Sequence, residues 1–102
     1  MQYTWDERKR KINLAKHFVD FGDGYLVIEH PEAFESLSIK TIEERYEVIA
    51  PFGEEADLVL VVYHPLGDDE CRIISMRLAS HQEEILYKRF KQKKERDAKR
   101  EK

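Results

Sequence analysis

A chain of 102 residues, 41% hydrophobic and 38% charged, makes one domain with a modest core and a heavily ionised surface. It lacks a run of about 18 apolar residues to span a bilayer, and no apolar signal core opens it. A single cysteine, Cys71, excludes an internal disulfide framework, so the expected setting is the cytoplasm and the expected thiol a small buried group.

Residues 2–5 read as a short strand. Asp6 is placed to cap the free N–H groups of a helix that runs on toward Phe21. Within that helix Lys9, Asn13, Lys16 and His17 gather along one side, while Ile12, Ala15 and Val19 fall on another and are expected to bury. A cationic ridge ending in a histidine suits phosphate binding and proton transfer. Asp20 can cap a second, shorter helix at residues 21–29, which Gly22 and Gly24 weaken by roughly 1 kcal/mol each relative to alanine. His30-Pro31 ends it.

Strands are expected at residues 34–40 and 43–50, joined by a tight link. In the second, Tyr46, Val48 and Ala50 alternate toward the core, which sends Arg45 to the other face. Residues 51–57 read as a loop. Residues 58–64 are nearly all apolar, the mark of a central strand covered on both sides. Pro65-Leu66-Gly67-Asp68-Asp69 is the clearest turn, and residues 70–78 should return beside 58–64 as a hairpin. Ser80 with Glu83 has capping-box spacing, and Ile85, Leu86, Tyr87 and Phe90 give the helix that follows an apolar stripe. The domain should occupy residues 1–90. Residues 91–102 form a basic tail with nothing larger than Ala98 to bury.

The net charge of −3 hides three blocks. Residues 1–17 hold five cations and two acids, residues 18–87 four cations and sixteen acids, and residues 88–102 nine cations and three acids. The central cations are Lys40, Arg45, Arg72 and Arg77. Stranded in an acidic background, the arginines either pair with neighbouring glutamates or bind anions, for which the guanidinium fork is suited. Arg72 and Arg77 are an odd number of residues apart, so they face opposite sides of a strand unless it ends or bulges between them. His17 is either a solvated helix-end residue or a proton-transfer group that the neighbouring Lys16 holds neutral. Trp5 is core or a stacking platform, and Tyr87 is core or a partner for an RNA base. His30 and His64 read as loop residues before prolines. His81 and Glu84 lack a third ligand, so no metal is expected, and no cofactor motif is present. The tail either keeps an acidic domain soluble or adds salt-sensitive attraction to phosphates.

Two segments carry a family resemblance. Trp5-Asp6-Glu7, Lys9, Asn13, Lys16-His17 and Val19-Asp20-Phe21 are similar in spacing to the opening of BrnT-type toxins of bacterial toxin–antitoxin pairs. Arg72-Ile73-Ile74-Ser75-Met76-Arg77-Leu78-Ala79, followed by Glu84 and Tyr87, resembles the family's ending, and Glu44-Arg45 sits where the family has its Glu/Arg strand pair. The similarity covers roughly residues 3–88. Where the family has a glycine this chain has Phe18, so the first helix must stop another way or run on to Asp20.

The resemblance implies an α+β, RelE-like fold: a twisted, mainly antiparallel sheet of four to five strands with two N-terminal helices and one C-terminal helix. It implies a metal-independent endoribonuclease that inhibits translation, with His17 as acid or base and Lys16, Arg45 and Arg77 as charge stabilisers. Lys9, Arg72 and Tyr87 are the expected RNA-binding residues. The implied partners are the RNA substrate and a cognate ribbon-helix-helix antitoxin, with DNA reached only through that antitoxin. No membrane partner is implied, and homo-oligomer formation stays open. The competing expectation is a non-catalytic regulatory module that keeps the toxin fold and the antitoxin surface. The Phe18 departure and the acidic middle of the chain favour it.

Overall fold

The computed structural model describes residues 1–38 and 42–100. Strand β1 (Gln2–Thr4) leads into helix α1 (Glu7–His17), and a 3₁₀ turn at Phe21–Asp23 opens helix α2 (Gly24–Ile28). Strands β2 (Phe34–Ser38), β3 (Arg45–Phe52), β4 (Asp57–Pro65) and β5 (Glu70–Leu78) follow, and helix α3 (His81–Arg100) is the last described element. The strands form one five-stranded sheet in the order β1-β5-β4-β3-β2. Only β1 and β5 run parallel; the other neighbours are antiparallel.

Alternation along the strands divides the core between two faces. Val48, Ala50, Val59, Val61, Ile73 and Met76 bury on one face against Phe21 and Val27, with Trp5 and Val19 packed at the margin. Ile49 and Leu60 bury on the other face against Tyr87, flanked by Phe34, Val62 and Phe90. Gly24 allows α2 to press onto the first face, since a Cβ there would lie 2.7 Å from Ile73 Cδ1. Cys71 is buried as expected, and that burial pushes its thiol up to about 11.

α1 departs from the expected burial. No residue of it is fully buried; Ile12 is 61% exposed and Ala15 is exposed. The half-buried positions are Arg10, Asn13 and His17, a polar stripe. The reason lies in where the helix sits. β1 pairs with β5 only as far as Arg72, which leaves the rest of that edge without a strand. Asn13 takes the missing strand's place: its Nδ2 donates to the Met76 carbonyl at 2.7 Å and its Oδ1 accepts from Met76 N–H at 3.4 Å. A sheet edge is covered by hydrogen bonds, so the inward face of α1 is polar. Arg10 donates to both Asp20 oxygens, at 2.7 and 2.9 Å, and anchors the far side.

α1 ends where a glycine would have ended it. Phe18 itself adopts the left-handed conformation (φ 62°, ψ 20°), its N–H donating to Leu14 C=O, with its ring 85% exposed. Asp20 caps as expected, through Gly22 N–H at 2.9 Å, but the element it opens is a 3₁₀ turn followed by the short α2.

The expected loop at residues 51–57 shrinks to a turn. β3 continues through Pro51 and Phe52, beyond the last β2 pair, where one edge is open and proline is tolerated. Gly53 (φ 78°) and Ala56 (φ 55°) close the turn. β2 is the first strand of the expected pair with β3, while the expected extension to residues 39–40 lies outside the described residues. Pro65–Asp69 turns as read, with Leu66 N–H on the Glu70 carbonyl.

β5 carries the bulge that the spacing of its arginines left open. Val62 pairs with Ser75 and Tyr63 with Ile73, so Ile74 has no partner. The surplus residue brings Arg72, Ser75 and Arg77 onto one face, opposite His64, Val62 and Leu60. The Ser80–Glu83 capping box forms in full, at 2.8 and 3.2 Å. Ile85 and Leu86 are exposed, at 37% and 50%, and the inward stripe of α3 is instead Glu83, Glu84, Tyr87, Phe90 and Lys91.

Candidate active site

Two adjoining depressions run along α1 where it meets the β5 bulge. The first, about 230 Å³, is lined by Asp6, Lys9, Glu43, Arg45, Arg72, Ile73 and Ile74. The second, about 260 Å³, is lined by Lys9, Ile12, Asn13, Lys16, His17, Phe21, Ile74 and Ser75. Lys9 and Ile74 belong to both. Both depressions thus share the unpaired residue of the bulge; α1 supplies Lys9 and Lys16, and the sheet supplies Arg45 and Arg72.

Asp6 orients the start of α1 by accepting from Arg8 N–H at 2.9 Å and Lys9 N–H at 3.3 Å. At the other end of α1, Lys16 and His17 occupy the last turn, where positive charge also complements the helix dipole. Five of the expected site residues, Lys9, Lys16, His17, Arg45 and Arg72, line these depressions.

Arg77 and Tyr87 line neither. Arg77 lays its fork on Glu83, at 2.7 and 3.0 Å, and donates to Leu78 C=O. That bidentate pair raises the affinity of Arg77 for its proton and holds Glu83 below the ordinary carboxylate range. Arg77 thereby ties β5 to the first turn of α3. Tyr87 is 5% exposed, packs near Phe90 and donates its hydroxyl to Glu32 C=O at 2.9 Å.

Glu43 and His64 were not expected at the site. Glu43 Oε2 accepts from Arg45 at 3.2 and 3.3 Å, and Oε1 accepts from Arg72 at 3.2 Å. His64 Nε2 lies 3.2 Å from the same Oε1, and its Nδ1 bonds to the Glu44 carbonyl. Burial pushes the Glu43 carboxyl up, but the Arg45 hydrogen bond and the charges of His64, Arg45 and Arg72 outweigh it, leaving a net lowering. A signal for His64 was present: it lies opposite Arg72 in the hairpin register. Among the described residues no group of three or more His, Cys, Asp or Glu side chains is placed to hold a metal. No helix among them is long and apolar enough to cross a membrane.

The fold is α+β with a cation-lined cleft beside its first helix, and residues 5–83 match the family described as "Ribonuclease toxin, BrnT, of type II toxin-antitoxin system". The chain belongs to the BrnT family. Among solved structures it is similar to the Brucella abortus ribonuclease toxin BrnT: 30% identity over 79% of this chain and 99% of that one, with a TM-score of 0.60. No curated protein matches it.

Proposed function

We propose that this chain is a metal-independent endoribonuclease whose RNA backbone lies along α1, across both depressions. One observation carries the reading: Lys9 is common to the two, with Arg45 and Arg72 on one side and Lys16 and His17 on the other. Cations on both sides of a shared lysine suit the phosphate backbone of a single strand. Cleavage proceeds by attack of a ribose 2′-hydroxyl on the adjacent phosphorus. The 2′-oxygen–phosphorus bond forms, the bond to the 5′-oxygen breaks, and a 2′,3′-cyclic phosphate and a free 5′-hydroxyl remain. His17 transfers a proton, and Lys9, Lys16, Arg45 and Arg72 stabilise the negative charge gathered in the transition state. Arg77 contributes through the sheet–α3 junction that it fastens.

The consequence in a cell is slowed translation, relieved by an antitoxin of ribbon-helix-helix type that binds this chain and carries it to DNA. The acidic middle of the chain suits a basic partner surface, for which charge complementarity speeds association. Phe18, which reproduces the glycine's conformation, leaves the end of α1 in place and so gives the non-catalytic reading little support.

Inducing the gene should arrest growth. Lys16→Ala and His17→Ala, confirmed as folded, should relieve the arrest, and the purified protein should cut RNA in the presence of a chelator. Equal toxicity in the variants would remove those two residues from the mechanism. Cleavage that requires added Mg²⁺ would overturn the metal-free chemistry.

A further inference from the structure

Glu43 holds the centre of the cationic cluster, where an acid is out of place in a site for RNA. Its two oxygens are divided among donors from three strands: Arg45 of β3 on Oε2, Arg72 of β5 and His64 of β4 on Oε1. The bond from His64 Nδ1 to the Glu44 carbonyl turns its Nε2 toward that carboxylate. Lys9 overhangs the same depression from α1. Asp6, the other acid in its wall, is engaged by the first-turn N–H groups of α1.

Donors that converge on two oxygens of one carboxylate make the pattern that receives two oxygens of a phosphate. Glu43 also precedes β3 in a bend, outside the strand ladder, so its side chain can swing away without breaking a sheet hydrogen bond. We propose that Arg45, Arg72 and His64 form a phosphate site and that Glu43 is its resident stand-in, displaced when a phosphodiester enters. His64 becomes a phosphate-binding residue by this assignment. The inference rests on the ribonuclease reading only for naming RNA as the source of the phosphate. The exchange keeps two guanidinium groups and the His64 ring occupied in the empty protein, and it makes the bound phosphate compete with a tethered anion.

The test uses the full chain, titrated with inorganic phosphate and, separately, with a 2′-deoxy dinucleotide that cannot cleave itself. Backbone amide and imidazole NMR signals report binding. Glu43→Gln should bind inorganic phosphate about tenfold tighter than wild type or more, since a like charge leaves the site. Phosphate should shift the His64 ring signals. Glu43→Asp, which keeps the charge but withdraws it by one methylene, should give an intermediate gain and covers the case in which Gln fails to fold. Adding Arg72→Gln to Glu43→Gln should cancel the gain. Affinity that is unchanged or weaker in both Glu43 variants overturns the proposal, as does a gain that persists without Arg72. Tighter phosphate binding by a protein that never cuts RNA would uphold the site and remove the ribonuclease reading. Cleavage of RNA with no change in phosphate affinity would do the opposite.

Discussion

Replacing Asn13 with leucine keeps the branched shape and heavy-atom count of the asparagine side chain and removes every hydrogen bond it makes. Three bonds are lost: to the Met76 carbonyl at 2.7 Å, to the Val19 carbonyl at 3.3 Å and from Met76 N–H at 3.4 Å. A bond of ordinary length contributes about 1 kcal/mol net, and the two longer ones less. Met76 is fully buried, so its N–H and C=O find water only if α1 lifts from the edge. The expected loss is about 2 kcal/mol, which for a domain of this size lowers Tm by roughly 10 °C. Urea unfolding at neutral pH should show a lower midpoint with an unchanged slope, the sign of lost stability without a change in the surface exposed. Asn13→Asp should do no better, because a carboxylate cannot donate to the Met76 carbonyl. Because the helix so loosened carries Lys9, Lys16 and His17, RNA binding should weaken in the same variants. A loss under about 0.5 kcal/mol in Asn13→Leu would refute the reasoning. It would mean that the Arg10–Asp20 pair, not the edge-mimicking amide, holds α1 in place.

Further outcomes follow from other contacts. Phe18→Gly should stabilise the fold by about 0.5 kcal/mol, relief of the left-handed strain offset in part by the freer unfolded chain, and Phe18→Val should destabilise it; urea midpoints check the order. Glu83 has a depressed carboxyl because Arg77 and the Ser80 N–H hold its ionised form. Its contribution is therefore complete above the unfolded glutamate value, near 4.3, and is lost as pH falls through the lower folded value. Glu83→Gln should flatten the decline of stability below about pH 4.5 while lowering stability at pH 7, as read by urea unfolding at both. Truncation after Lys91 retains Tyr87, Phe90 and the Lys91–Glu32 pair and should shift Tm by less than about 2 °C. It should also weaken RNA binding at low salt and reduce the salt slope, and a slope that stays the same would take the basic segment off the RNA.

The fold was largely legible because its strands obey simple alternation and its caps are local. Asp6, Asp20 and the Ser80–Glu83 box act on N–H groups within three residues of themselves, a distance at which spacing alone decides. The apolar stripes were harder to read. Ile12, Ala15, Ile85 and Leu86 are apolar but face outward, because α1 lies against a sheet edge that asks for hydrogen bonds and α3 packs through Tyr87 and Phe90. Lys9, Lys16, His17, Arg45 and Arg72 were visible as unusual charges. Glu43 was hidden by its acidic surroundings: nothing local to it tells that Arg72 and His64, 29 and 21 residues away in the chain, will converge on its carboxylate.

Ile74 stands outside the arithmetic of its own strand. Ile73 pairs with Tyr63 and Ser75 with Val62, the residue next to Tyr63, so the sheet would close just as well if this one residue were missing. Every core side chain of β5 would keep its face, and so would both arginines. What would vanish is the hydrocarbon that both depressions share. The chain thus holds a residue that the architecture can spare and the cleft cannot. Deleting it would separate the two, leaving a BrnT scaffold with its cations in place and a cleft without the apolar residue its two halves share.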